Sequence, residues 1–324
     1  MHRVTGGWAR GLSKARRTEG GAVRQRTIAE KISCTGIGLH SGAPVQLTLH
    51  PGRLGTGIVF VRSDGARTIE IPARADQVGS TRLATTLGAN GSGVGTVEHV
   101  LAALYGLGID NIRIELDGPE VPVMDGSAAS FVFLIRAAGI FEQRGARRVL
   151  RVKRPVEVRD GERVARIEPA RSFRITYQID FQHPAIGRQS LSGFELREGS
   201  FERELCRART FGFLHEVQAL WRAGLGRGGS LDNTIVLDQR RVLNPEGLRM
   251  PDEFVRHKAL DLLGDFALLG MPLEGHVRVV RGGHALHQKL MRALLDTPGA
   301  VEVVTASGPA PFPIERMDEV RAPL

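Results

Sequence analysis

Twice along this chain a run of short strand-type segments gives way to helix, short strand, helix, and that recurring order most constrains the fold. In the first half, residues 45–49 alternate as a half-buried strand, and 27–34, 57–62 and 81–87 have strand character. Residues 96–105 then read as a helix with Thr96 as N-cap and Gly106 and Gly108 beyond its end. A strand over 111–116, a loop over 117–125 and a helix over 127–138 follow. The second half repeats the pattern, with strands at 149–152, 156–159, 164–169 and 173–179. After these come a helix near 214–222, a glycine-rich loop, a strand over 234–237, a long helix over 252–269, a strand over 275–281 and a helix over 284–295. No βαβα alternation occurs, which argues against a doubly wound parallel sheet. The reading is an α+β fold of two similar domains, 27–147 and 148–300, each a sheet with two packed helices, layered with a site between them. An insert over about 210–236 interrupts the second domain. Residues 1–26 read as a disordered leader and 301–324 as a loosely structured tail.

At 324 residues the chain accommodates two cores. Its two cysteines, Cys34 and Cys206, can build neither a disulfide framework nor a cysteine-rich metal site, which suits a reducing compartment. No segment nears the ~18 consecutive apolar residues of a membrane helix. The Arg-rich leader lacks the apolar core of a secretory signal and reads as a plain extension, so the expectation is a cytoplasmic bacterial protein. The net charge of +9 suggests nucleic acid, but its location removes that support. Arg3, Arg10, Lys14, Arg16, Arg17, Arg24 and Arg26 face only Glu19 within 1–26, leaving +3 for the rest. No nucleic-acid partner is expected.

The chemistry starts in the 252–269 helix. Phe254, Val255, Leu260, Leu262, Leu263, Phe266, Leu268 and Leu269 form its apolar stripe, while His257, Asp261 and Asp265 recur at i, i+4 and i+8. A histidine and a carboxylate four apart can aim two ligand atoms at one zinc ion; the plain alternative is a solvated polar edge. His99, on the matching helix of the first half, is the candidate third ligand. Glu98 beside it can accept a proton from a metal-activated water. His284, after Gly282 and Gly283, can protonate the leaving amine, and Asp265 can orient it and keep it cationic. Together these residues point to a zinc hydrolase. Two weaker motifs fail. Gly224-Leu-Gly-Arg-Gly-Gly229 lies between a helix and a strand, the reverse of a dinucleotide fingerprint. His215-Glu216 lacks a second histidine, since Ala219 stands in its place.

Seven blocks resemble the bacterial UDP-3-O-acyl-N-acetylglucosamine deacetylase family, LpxC. In order they are Thr35-Gly-Ile-Gly-Leu-His-Ser-Gly42, Thr96-Val-Glu-His99, Gly108-Ile-Asp-Asn-Ile112, Pro122-Val-Met-Asp-Gly-Ser-Ala128, Arg207-Ala-Arg-Thr-Phe-Gly-Phe213, Glu253-Phe-Val-Arg-His-Lys-Ala-Leu-Asp261 and Gly283-His-Ala-Leu286. The resemblance implies one Zn2+ on His99, His257 and Asp261, a general base at Glu98, and a charged His284 paired with Asp265. It further implies an oxyanion-stabilising Thr210, Lys258 near the substrate diphosphate, and Phe181 near the uridine. Residues 211–236, beginning with Phe211, correspond to an insert that forms an apolar acyl-chain passage. Ala84 stands where many members carry a cysteine. The implied reaction is hydrolysis of the N-acetyl group of UDP-3-O-(3-hydroxyacyl)-N-acetylglucosamine, releasing acetate, in lipid A biosynthesis by a monomer. A zinc amidohydrolase for another acylated sugar or amide is the alternative; a basic, non-enzymatic binding protein is a more remote one.

Overall fold

The computed structural model describes residues 22–63, 67–89 and 91–307; most of the expected leader and the tail from 308 onward lie outside these. Six helices are present among the described residues: α1 (Glu98–Gly106), α2 (Ala129–Ala137), α3 (Ser200–Glu204), α4 (Leu214–Arg222), α5 (Glu253–Phe266) and α6 (His284–Asp296). None is long and apolar enough to cross a membrane.

The fold is α+β with two similar halves. The first carries a five-stranded sheet in the order Ile32–Ile37, Pro44–Pro51, Ile112–Leu116, Ile58–Ser63, Thr68–Pro72. Only the pairing of Ile58–Ser63 with Ile112–Leu116 is parallel. Period-two alternation buries Val45, Leu47 and Leu49 while Pro44, Gln46 and Thr48 stay more open, and α1 and α2 share that core. The second half has a seven-stranded sheet in which Leu273–Val280 pairs with Arg163–Glu168, Phe173–Asp180 and Arg148–Val152. On it, α6 covers Val156–Asp160 and Arg163–Glu168, while α5 covers Phe173–Asp180 and Arg188–Glu195. The halves meet where α1 packs along α5.

Several expectations are corrected. Residues 27–34 form parts of two strands, because Arg24–Ile28 pairs separately with Ile140–Ala146. Arg26, counted with the leader, is fully buried and ion-paired with Glu142 at 3.0 Å. Thr96 is not a helix cap: it sits at φ +54°, and its hydroxyl donates to Glu120 at 2.7 Å. That buried carboxylate also takes the amides of His40 and Ser41, so it outcompetes the helix end for the Thr96 hydroxyl. Most of 81–87 is loop, with only Thr86–Leu87 pairing. Val301–Thr305, read as tail, is a strand beside Arg148–Val152. Arg188–Glu195 is a strand that periodicity did not reveal, since Ser190, Ser192 and Gly193 dilute its signal.

Candidate metal and catalytic centre

The site forms where α1 crosses α5. Gly264, inside α5, lies so close to the Glu98 carbonyl that a Cβ could not fit, and this approach sets His99 opposite Asp261. His257 and Asp261 come from successive turns of α5, and His99 arrives from the first turn of α1. All three side chains are buried, so the solvated-edge reading is excluded. One ligand atom from each can be chosen so that all lie within 4.8 Å of one another. Asp261 Oδ1 is 3.3 Å from His257 Nε2 and 3.7 Å from His99 Nε2, and the two rings meet edge to face with centroids 5.1 Å apart.

This cluster fits a divalent metal. Asp261 Oδ1 is buried and makes no hydrogen bond among the described residues, a costly state for a carboxylate oxygen unless a cation faces it. The other oxygen, Oδ2, accepts from Lys258 Nζ at 2.7 Å. His257 Nδ1 faces the Ala208 carbonyl at 3.1 Å; a carbonyl only accepts, so Nδ1 carries the hydrogen and Nε2 keeps its lone pair toward Asp261. Burial pushes His257 down to about 3 and lowers His99, keeping both rings neutral and able to ligate. Burial opposes the charge on Asp261, but His257, the Lys258 ammonium and His284 outweigh it and hold the carboxyl well below its usual range. Two imidazole nitrogens and one carboxylate oxygen form a donor set suited to zinc.

Next to the cluster lie an acid and a base of unlike character. Glu98 is buried, its Oε2 accepts the Thr85 amide at 3.1 Å, and burial pushes it up to about 7 against the pull of His284. His284 Nε2 stands 3.8 Å from both Glu98 Oε1 and Asp261 Oδ2. His284 Nδ1 meets Asp265 Oδ2 at 2.8 Å. Burial would discharge His284, but Asp265, Glu98 and Asp261 together raise it to about 9. The expected His284–Asp265 pairing is therefore present, and Asp265 stands outside the three-residue metal cluster.

The remaining expected residues ring this centre. The Lys258 ammonium lies 5.6 Å from the centroid of Phe211, whose ring is also 6.3 Å from His257. Phe181 packs edge to face on Phe211 at 5.6 Å. Thr210 is half-buried, its amide bound to Gly126 and its carbonyl to Ile235. The segment before it is anchored by Arg209, fully buried and ion-paired with Glu253 at 2.9 Å and Glu246 at 2.6 Å. This anchor fixes Ala208, which orients His257, and Thr210 on its other side. His215 is exposed on α4 and takes no part. Sequence reasoning missed Thr85, whose hydroxyl lies 2.6 Å from Asp265 Oδ1 and 3.2 Å from His284 Nδ1. It also missed Tyr177 and His287. The spacing of His284 and His287, one turn apart on α6, was the only local signal for the latter.

Fold and site define an α+β protein whose two halves enclose a buried His2–Asp cluster able to hold a metal ion, flanked by a carboxylate and a cationic imidazole. The chain belongs to the LpxC family, UDP-3-O-acyl N-acetylglycosamine deacetylase, whose model matches residues 25–296. It is 52% identical over 292 residues to the UDP-3-O-acyl-N-acetylglucosamine deacetylase of an Anaeromyxobacter species, covering 90% of this chain and 95% of the relative. The protein of the same name from Myxococcus xanthus is 54% identical over 282 residues, covering 87% of this chain and 90% of its own. That of Anaeromyxobacter dehalogenans is 51% identical over 292 residues, covering 90% and 94%.

Proposed function

We propose that this protein hydrolyses the N-acetyl group of a UDP-3-O-acyl-N-acetylglucosamine, releasing acetate and a free sugar amine, as a step of lipid A synthesis in the bacterial cytoplasm. His99, His257 and Asp261 would hold one zinc ion. The observation that carries the proposal is the unpartnered, buried Asp261 Oδ1 facing two histidines beside Glu98. When bound, zinc supplies Lewis acidity toward the amide carbonyl and makes water more acidic.

The chain's own groups account for the proton movements. Glu98, poised near neutrality by burial, takes the proton of the attacking water at Oε1 or Oε2. His284, cationic at neutral pH, offers its Nε2–H to the developing oxyanion, with the Thr210 hydroxyl as a second donor. The sugar nitrogen then receives a proton from His284 or from protonated Glu98 as the C–N bond breaks. Asp265 keeps His284 Nδ1 protonated and its ring aimed at Glu98 and Asp261. Lys258 supplies a positive charge for the substrate diphosphate, and the Phe211–Phe181 pair an aromatic surface for the substrate beside it. Residues 211–236 would border the acyl chain: Phe211–Phe213 and Ile235–Leu237 pair in parallel, and α4 between them is unburied, with Leu214 and Trp221 exposed.

The deciding experiment measures acetate release from UDP-3-O-acyl-N-acetylglucosamine by metal-stripped and zinc-restored protein. Turnover that disappears on stripping and returns with zinc is expected. Restored protein that ignores this substrate but cleaves another acylated sugar would move the activity to that amide.

A further inference from the structure

The buried polar network does not end at Asp265. His287, one turn beyond His284 on α6, directs Nδ1 at the same Asp265 Oδ2 that meets His284, each at 2.8 Å. Its Nε2 meets the hydroxyl of Tyr177, on strand Phe173–Asp180, at 3.0 Å. The two rings pack edge to face with centroids 5.8 Å apart, and both side chains are fully buried.

The roles of these atoms follow from what each can donate. Asp265 as a carboxylate only accepts, so His287 Nδ1 carries a hydrogen. Burial disfavours a second hydrogen on His287, which leaves Nε2 as an acceptor for the Tyr177 O–H. Tyr177 stays protonated, since burial raises its phenol well above the ordinary range. Asp265 thus accepts from Thr85 on Oδ1 and from two imidazoles on Oδ2, which fixes the plane of the carboxylate. Asp265, His284 and His287 also satisfy the spacing of a metal cluster. Both Nδ1 atoms are occupied by Asp265, however, and His287 Nε2 by Tyr177, so no set of bare nitrogens converges.

We infer that Tyr177 and His287 are positioning residues for His284: Tyr177 holds His287 in its Nδ1-protonated form, and His287 holds Asp265 in the orientation that His284 requires. The inference rests on the deacetylase reading, in which His284 acts on the substrate.

The test uses the full-length protein with zinc, acetate release from the UDP-sugar as the kinetic readout, and imidazole nitrogen NMR on metal-free protein. His287→Leu should keep one metal per chain and an unchanged KM while kcat falls about tenfold, the low end for loss of an outer partner. His287→Asn places an amide N–H where Nδ1 stood and should recover most of that loss. Wild-type kcat in His287→Leu, or failure of His287→Asn to improve on it, overturns the inference. Tyr177→Phe retains the ring, guards against a misfolded His287 variant, and should weaken the single-tautomer signature of His287. NMR also separates the two readings. Inactive wild-type protein would sink the deacetylase assignment, whereas a His287 that is doubly protonated or Nε2-protonated near neutral pH would sink this one.

Discussion

The Glu98 carbonyl rests against the α-carbon of Gly264, with no room between them for a methyl group. This contact brings Glu98 of one half of the molecule beside the His99–His257–Asp261 cluster, to which the other half contributes two side chains. Gly264→Ala would gain about 1 kcal/mol of helix propensity. The clash is with backbone, which cannot rotate aside, and overpacking of this kind costs about 1–3 kcal/mol. A lower Tm and weaker zinc binding are expected, because α1 must move and carry His99 with it. Unchanged values of both would show that the crossing tolerates a wider gap.

Metal binding and proton transfer should separate by mutation. His99→Ala or Asp261→Ala removes a ligand atom, and metal analysis of the purified variant should find little zinc. Glu98→Gln keeps the ligands and should retain about one zinc per chain while turnover falls by roughly 10²–10⁴-fold, the usual worth of a general base. Near-normal turnover in Glu98→Gln would assign the base elsewhere.

The His284–Asp265 pair makes metal-free protein sensitive to alkaline pH. His284 is raised from 6.5 to about 9, despite burial, chiefly by Asp265. A group raised on folding stabilises fully below its unfolded value and loses that contribution as pH climbs through its folded one. The stabilisation should therefore be complete below about pH 6.5 and fade through about pH 9. Asp265 has the opposite sign: burial is outweighed by His284 and His287, its carboxyl is depressed, and its contribution fades only in acid. Urea unfolding of metal-free wild type and Asp265→Asn should differ more near pH 6 than near pH 10. An equal difference at both would remove the coupling.

The Arg209–Glu253 pair gives a fourth prediction. Both side chains are buried, and Glu253 also accepts the Arg209 and Arg249 amides. Glu253→Leu leaves a buried guanidinium without its main partner and should cost about 3–5 kcal/mol in denaturant unfolding. Because Arg209 anchors the segment that orients His257, zinc affinity should fall in the same variant. A stability loss with intact zinc binding would confine the pair to a structural role.

What the sequence determined by itself is local. The spacing of His257, Asp261 and Asp265 sets one helical face, and Glu98-His99 and His284 fall at helix starts, because a 3.6-residue repeat and glycine boundaries act over a few residues. The α+β class and the repeated helix–strand–helix order were legible for the same reason. Tertiary structure decided what those faces meet. Thr85 reaches Asp265 across 180 positions, and Tyr177 reaches His287 across 110, so no local pattern records either contact. Thr96 looks like a cap in sequence, but a carboxylate from another loop claims its hydroxyl. Whether His257 and Asp261 edge a solvated helix or join a buried cluster able to hold a metal depends on Gly264 admitting α1, a distance between two backbones that only the folded chain sets.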